Sequence, residues 1–116
     1  MTLTQPQASP DGKFLYYTSG WYGQWNDVWR IPTGAGEPTK VVERALGFEG
    51  PYAVVDDGIY FLRKADRKEQ VDLCFLTLAT GKVRKILTID QSHVSFLAVS
   101  PDRRTIFTRQ AKAGVT

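Results

Sequence analysis

The sequence SPDGKFLYY at residues 9–17 joins a tight turn directly to a strand, and it decides the fold because the chain repeats it. Proline fixes φ, aspartate can bond nearby backbone amides, and glycine accepts positive φ, as a tight turn requires. A second copy, SPDRRTIFT, lies at residues 100–108, an offset of 91 positions. A degenerate copy, VDDGIYFL, lies between them at residues 55–62. We align Ile59 with Phe14, which leaves Lys13 without a counterpart in this middle copy.

The second half of the repeat agrees at a shorter offset. The segment DVWRI at residues 27–31 aligns with DLCFL at residues 72–76, 45 positions later. The same offset pairs Gly36 with Gly81 and Val41 with Ile86. The match therefore spans a turn and two strands, which indicates a repeating structural unit of about 45 residues.

Each unit reads as four short strands joined by turn residues, and no helical period competes. We expect strands at about 3–8, 13–18, 27–32 and 38–43, then 51–55, 58–64, 71–78 and 83–89, then 94–99 and 104–109. Side chains alternate along a strand, so Phe14 and Tyr16 lie on one face while Leu15 and Tyr17 lie on the other. Both faces are apolar, which predicts sheets that are covered on both sides.

A repeat near 45 residues with four strands is the signature of a β-propeller blade. We therefore predict an all-β chain that forms a partial β-propeller of about two and a half four-stranded antiparallel blades. The chain is one segment, 1–116, with blade 1 at about 3–45, blade 2 at about 48–90 and a partial blade 3 at about 93–116. A two-sheet sandwich is the main rival, but it does not predict self-similarity at this period.

The SPDGK turn, the FLYYT strand at residues 14–18 and the DVWRIP strand at residues 27–32 resemble the WD40-like (PD40-like) repeats of the TolB-type propeller family. The resemblance covers nearly the whole chain, with departures at Asp56, where proline is expected, and at Arg103, where glycine is expected. It implies a non-catalytic module that binds proteins or ligands, as the sensor or scaffold part of a larger bacterial protein, and it suggests the periplasm. The alternative it implies is the non-catalytic propeller of a prolyl-oligopeptidase-type serine peptidase.

The candidate partner-binding residues lie in two loops at equivalent positions of the repeat. The loop at residues 19–26 carries Trp21, Tyr22 and Trp25, and its counterpart at residues 64–70 carries Arg67 and Lys68. Rigid aromatic side chains on a scaffolded loop are typical of recognition surfaces. The rings could instead pack on the end of the neighbouring blade. We expect successive loops to gather on one face, where they would bind a protein or peptide partner.

Several other functions are disfavoured by the composition. The net charge is +3 and the basic residues are scattered, whereas a nucleic-acid interface needs a one-sided basic stripe. The single His93 and single Cys74 give neither a catalytic triad nor a zinc site, and Cys74 is expected to pack as a small apolar residue. We therefore expect no enzyme activity, no metal and no cofactor. No apolar stretch reaches the roughly 18 residues of a membrane span, and the N-terminal sequence does not resemble a signal peptide.

The number of repeats raises the question of how the ring is completed, since 116 residues make about two and a half units and propellers use four to eight. Three explanations compete: a segment of a longer protein, a piece that closes a ring from several copies, or an open stack that folds alone. We expect the first. Taken alone, the last blade would end with an unpaired strand edge and the first and last blades would expose apolar faces, and both features promote self-association.

Overall fold

The computed structural model describes residues 2–20, 25–46, 52–65, 70–90 and 94–110, and these form ten strands and no helix. The strands are β1 Thr2–Ala8, β2 Phe14–Gly20, β3 Trp25–Pro32, β4 Thr39–Leu46, β5 Tyr52–Val55, β6 Gly58–Lys64, β7 Val71–Thr77, β8 Lys82–Ile89, β9 Val94–Val99 and β10 Ile106–Gln110. All ten predicted strands are present, with ends shifted by three residues or fewer. The prediction of an all-β chain is confirmed.

The strands form three antiparallel sheets in which neighbours in sequence are neighbours in space. Sheet 1 has the order β1-β2-β3-β4, sheet 2 has the order β5-β6-β7-β8, and sheet 3 is the hairpin of β9 and β10. The first two units are therefore four-stranded antiparallel sheets, as predicted. Among the described residues, none of the three sheets closes on itself.

The strand register corrects the alignment of the middle copy. Leu15 pairs with Ile31, and Ile59 pairs with Leu76, which lies 45 residues after Ile31. Ile59 therefore corresponds to Leu15, and the alignment of Ile59 with Phe14 is wrong by one residue. The correction matters because a slip of one residue moves every side chain of a strand to the other face.

The error has its origin in the length of the turn. Ser9 and Phe14 enclose four turn residues, whereas Val55 and Gly58 pair directly across only two. Gly58 thus takes the position of Phe14, and it must be small: a Cβ there would overlap the carbonyl oxygen of Leu76 and the ring of Phe75.

The first turn is held by a closed set of hydrogen bonds. The hydroxyl of Ser9 donates to Oδ1 of Asp11 at 2.7 Å, and the same carboxylate oxygen accepts from the amide of Lys13 at 3.0 Å. The Ser9 hydroxyl also accepts from the amide of Phe14 at 3.0 Å, while Gly12 adopts φ 74°. Residues 9–14 therefore fold as one locally satisfied unit.

The third unit builds the same turn with the same bonds. The hydroxyl of Ser100 donates to Oδ1 of Asp102 at 2.7 Å, and that oxygen accepts from the amide of Arg104 at 3.0 Å. The amide of Thr105 donates to the Ser100 hydroxyl at 3.0 Å. Arg103 adopts φ 63°, the conformation of Gly12 in the first copy. The offset of 91 residues is thus reproduced in three dimensions.

Two apolar clusters join the sheets face to face. The first cluster lies between sheets 1 and 2 and contains Tyr16, Val28, Val42, Ala45, Tyr52, Ile59, Phe61, Cys74 and Leu76. The second lies between sheets 2 and 3 and contains Tyr60, Leu62, Val71, Leu73, Phe75, Ile89 and Leu97. Sheet 2 is therefore covered on both faces, and Cys74 is a buried apolar residue of the first cluster, as predicted.

Polar contacts also connect successive sheets along their first strands. The side chain of Gln7 on β1 donates from Nε2 to the carbonyl oxygen of Tyr52 at 2.6 Å. Its Oε1 accepts from the amide of Val54 at 3.1 Å. One side-chain amide thus satisfies two backbone groups of β5 on the side that does not pair with β6. The first strands lie next to one another, β1 beside β5 and β5 beside β9.

Candidate binding face

The sheets have two ends, which differ in the kind of connection they carry. Because neighbouring strands are antiparallel, the turns at 9–14, 33–38, 56–57, 78–81 and 100–105 lie at one end, which we name the turn end. The connections between β2 and β3 and between β6 and β7 lie at the opposite end, which we name the loop end. In the sequence, the candidate partner-binding residues fall in or beside these two connections.

The structure describes one of these five candidates in part. Trp25 is the first residue of β3, where its backbone pairs with Leu46. The other four, Trp21, Tyr22, Arg67 and Lys68, lie outside the described residues. The prediction that these side chains form a contact surface therefore stays a prediction.

Backbone pairing fixes the ends of both loops. Gly20 pairs with Asn26 across β2 and β3, at the base of the first loop. At the base of the second loop, the amide of Ala65 donates to the carbonyl oxygen of Gln70 at 3.2 Å. Each loop therefore leaves and re-enters a sheet at a fixed place, as is typical of binding loops on a rigid scaffold.

An arginine ties the two sheets together beneath the loop end. Nη2 of Arg63 on β6 donates to the carbonyl oxygen of Glu43 on β4 at 3.0 Å. The Arg63 guanidinium also lies 5.0 Å from the centre of the Phe61 ring, within range of a cation–π interaction. The two loops are thus held on adjacent, directly connected sheets.

An aspartate shapes the sheet at the same end. Oδ1 of Asp27 accepts from the amide of Arg44 at 3.2 Å, and its Oδ2 lies 3.6 Å from Nζ of Lys40. Arg44 has φ 56°, and the register between β3 and β4 shifts near Asn26 and Val28. Bulges of this kind bend a strand and often lie near functional sites. The Asp27 side chain therefore supports a bulge beneath the first loop.

A small cavity of about 80 Å³ lies at the turn end between sheets 1 and 2. Arg30 reaches into it, lying 4.1 Å from the centre of the Phe14 ring with Nη1 3.4 Å from the hydroxyl of Tyr16. The Ser9 hydroxyl and the Lys13 amide hold the pKa of Asp11 below its ordinary value. The carboxylate of Asp11 is thus committed to its own turn.

The corresponding position between sheets 2 and 3 is occupied by Arg103. Its Nη1 lies 2.6 Å from Oδ1 of Asp57, and its guanidinium lies 5.4 Å from the centre of the Phe75 ring. Sequence reasoning did not find this contact. Arg103 is the residue that departs from the expected glycine, and that departure was the available signal.

Two buried titratable side chains have raised pKa values, which keep them uncharged in the apolar cluster. Burial raises the pKa of Cys74, so its thiol is protonated at neutral pH and is a poor nucleophile. Burial, with a contribution from Tyr16, also raises the pKa of Tyr52. Both side chains belong to the cluster between sheets 1 and 2.

Among the described residues, no group of three or more His, Cys, Asp and Glu side chains is placed to hold a metal ion. Within the same ranges, no helix has the length and hydrophobicity needed to cross a lipid bilayer. Comparisons with family models, with curated proteins and with solved structures found no match to this chain.

Proposed function

We propose that the chain is a segment of a β-propeller whose loop end binds a protein or peptide partner without catalysis. The propeller interpretation is supported by three features: meander sheets that repeat about every 45 residues, apolar clusters between successive sheets, and neighbouring first strands. Radially arranged blades combine these features, because their inner strands converge while their faces stack.

The binding role is supported by the geometry of the loop end. Two loops at equivalent repeat positions start and end at paired residues on adjacent sheets that Arg63 connects. One loop is aromatic and the other is basic, although their flanking strands follow the same repeat. Such a pairing suits a partner that offers apolar side chains beside acidic ones. The resemblance to TolB-type repeats supports a sensor or scaffold role in a larger bacterial protein.

The test starts by selecting ligands from a random peptide display library with the immobilised chain. The enriched peptides are then labelled and used as probes in fluorescence anisotropy. We expect the variant W21A/Y22A/W25A to weaken binding by more than about 100-fold, since aromatic anchors contribute about 2 kcal/mol each. The variant R67A/K68A should reduce the affinity and the salt dependence of acidic peptides.

The control removes two positive charges elsewhere. K82A/K85A carries the same charge change as R67A/K68A, and both lysines are exposed on β8, away from the two loops. It should bind the selected peptides as the wild type does. Unchanged binding by the aromatic variant would contradict the proposal. A large fall in its thermal midpoint would instead show that the rings pack on a neighbouring sheet.

A further inference from the structure

One repeat position is buried in the first two sheets and exposed in the third. Tyr16 pairs with Gln7 as Phe107 pairs with Ala98, so Phe107 is the counterpart of Tyr16 in sheet 3. The counterpart in sheet 2 is Tyr60. The exposed fraction is 1% for Tyr16 and 5% for Tyr60, but 55% for Phe107. In sheets 1 and 2 this residue faces the next sheet, and in sheet 3 it belongs to neither apolar cluster.

The neighbouring repeat position shows the reverse order. Leu15 in sheet 1 corresponds to Ile59 in sheet 2 and to Ile106 in sheet 3. Leu15 is 39% exposed, Ile59 is 0% exposed, and Ile106 is partly buried against the second cluster. These residues face the preceding sheet, and sheet 1 has none among the described residues.

The chain therefore carries both halves of a contact that it already makes twice. Between sheets 1 and 2, Tyr16 and Ile59 belong to one cluster, and between sheets 2 and 3, Tyr60 and Ile106 belong to another. The two remaining residues at these repeat positions, Leu15 in sheet 1 and Phe107 in sheet 3, are apolar and exposed. Phe107 in sheet 3 thus occupies the repeat position that contacts the next sheet in sheets 1 and 2.

We propose that the face of sheet 3 around Phe107 binds the face of sheet 1 around Leu15 in a second copy of this chain. The interface continues the stack that joins the three sheets within one chain. The two faces are different, so the contact is heterologous and adds copies head to tail, forming a ring or an open chain. This interface uses the broad faces of the sheets and not the loop end. A failure of the peptide-binding test at the loop end would therefore not count against it.

The experiment uses one charged variant for each face. F107E blocks the face of sheet 3 and L15E blocks the face of sheet 1, and both replace exposed side chains. The wild-type chain should show a mass that rises with concentration in sedimentation velocity. Each variant alone should remain at the monomer mass of 13.0 kDa. An equimolar mixture of the two should form a dimer, because one open face of each kind remains.

A matched control variant distinguishes a blocked interface from a general effect of the added negative charge. Val83 on β8 is 39% exposed, the same fraction as Leu15, and it lies on neither open face. V83E should associate as the wild type does. Circular dichroism shows whether each variant is folded, and L15Q and F107Q replace the glutamates if folding is lost.

Three outcomes would overturn the proposal. The first is a wild-type chain that stays monomeric at every concentration. The second is loss of association in only one of the two variants, which would indicate a symmetric contact of one face with itself. The third is a mixture of the two variants that stays monomeric.

Discussion

Two aspartates perform the same task in units that lie 91 residues apart. Asp11 and Asp102 each accept a serine hydroxyl and the amide two residues further along the chain. Both carboxylates are exposed, and the serine hydroxyl is the main cause of their lowered pKa values. The aspartate of the SPD motif therefore stabilises a turn, as its spacing predicts.

The two copies of the turn provide internal controls for each other. S9A should raise the pKa of Asp11 towards its ordinary value of 3.8 and leave Asp102 unchanged, and S100A should do the reverse. Because the folded pKa values are depressed, the turns stabilise the fold above the unfolded pKa, and that contribution is lost as the pH falls through the folded values. NMR titration of the carboxyl carbons measures both groups. Parallel shifts in both variants would contradict separate turns.

Arg103 combines an unfavourable backbone conformation with a favourable contact. A residue with a Cβ at positive φ costs about 1 kcal/mol relative to glycine. The Arg103 guanidinium bonds Asp57 on the adjacent sheet, with side chains that are 34% and 61% exposed. A partly exposed pair of this kind contributes about 0.5 kcal/mol. We infer that the side chain offsets part of the backbone strain.

This balance predicts the sign of a double-mutant cycle. In a D57N background, R103G should raise the free energy of unfolding by less than about 1 kcal/mol, because the relief of backbone strain is partly offset by the loss of the guanidinium contact with the Phe75 ring. In the wild type the gain should be smaller by about 0.5 kcal/mol, and the difference should shrink at high salt. The exposed neighbour Asp56 is the control, since D56N should show no coupling with Arg103. Urea denaturation measures all the variants, and equal gains in both backgrounds would refute the contact.

At the scale of the strands, the sequence predicted the ten elements because their turn residues and apolar runs are local signals. The alignment of β6 with β2 was wrong by one residue because the middle turn is two residues shorter than the first. The sequence alone does not show how many residues are missing from that turn. Arg103 and Gln7 were missed as bridging residues for another reason. Their partners lie 46 and 45–47 residues away, and local patterns carry no information about such contacts.

Gly58 on β6 lies so close to β7 that there is no room for a side chain. The G58A variant should destabilise the chain by about 2–3 kcal/mol, because its Cβ would overlap the Phe75 ring and the Leu76 backbone. G34A is the matched control, since nothing lies within 4 Å of its Cβ. Thermal unfolding compares the two. Similar midpoints for both variants would show that β6 and β7 are not packed as described.

At the scale of the whole molecule, the three sheets follow one another in chain order and stack face to face. Sheet 2 is covered on both sides, whereas Leu15 and Phe107 mark the two faces that no other sheet of the described ranges covers. The loop end and the open faces are separate surfaces, so partner binding and self-association can occur independently. Both proposals, however, require that sheets 1 and 2 stack with their first strands side by side.

The Gln7 side chain tests that requirement most directly, because it bonds β5 from β1. A ¹⁵N-edited NOE spectrum of the chain should show cross-peaks between the side-chain amide protons of Gln7 and the backbone amide proton of Val54. Cross-strand peaks within sheet 1, such as those between Ala8 and Leu15, serve as the internal reference. We expect both sets of peaks. Peaks within the sheets without the contact between Gln7 and Val54 would contradict the stacked arrangement.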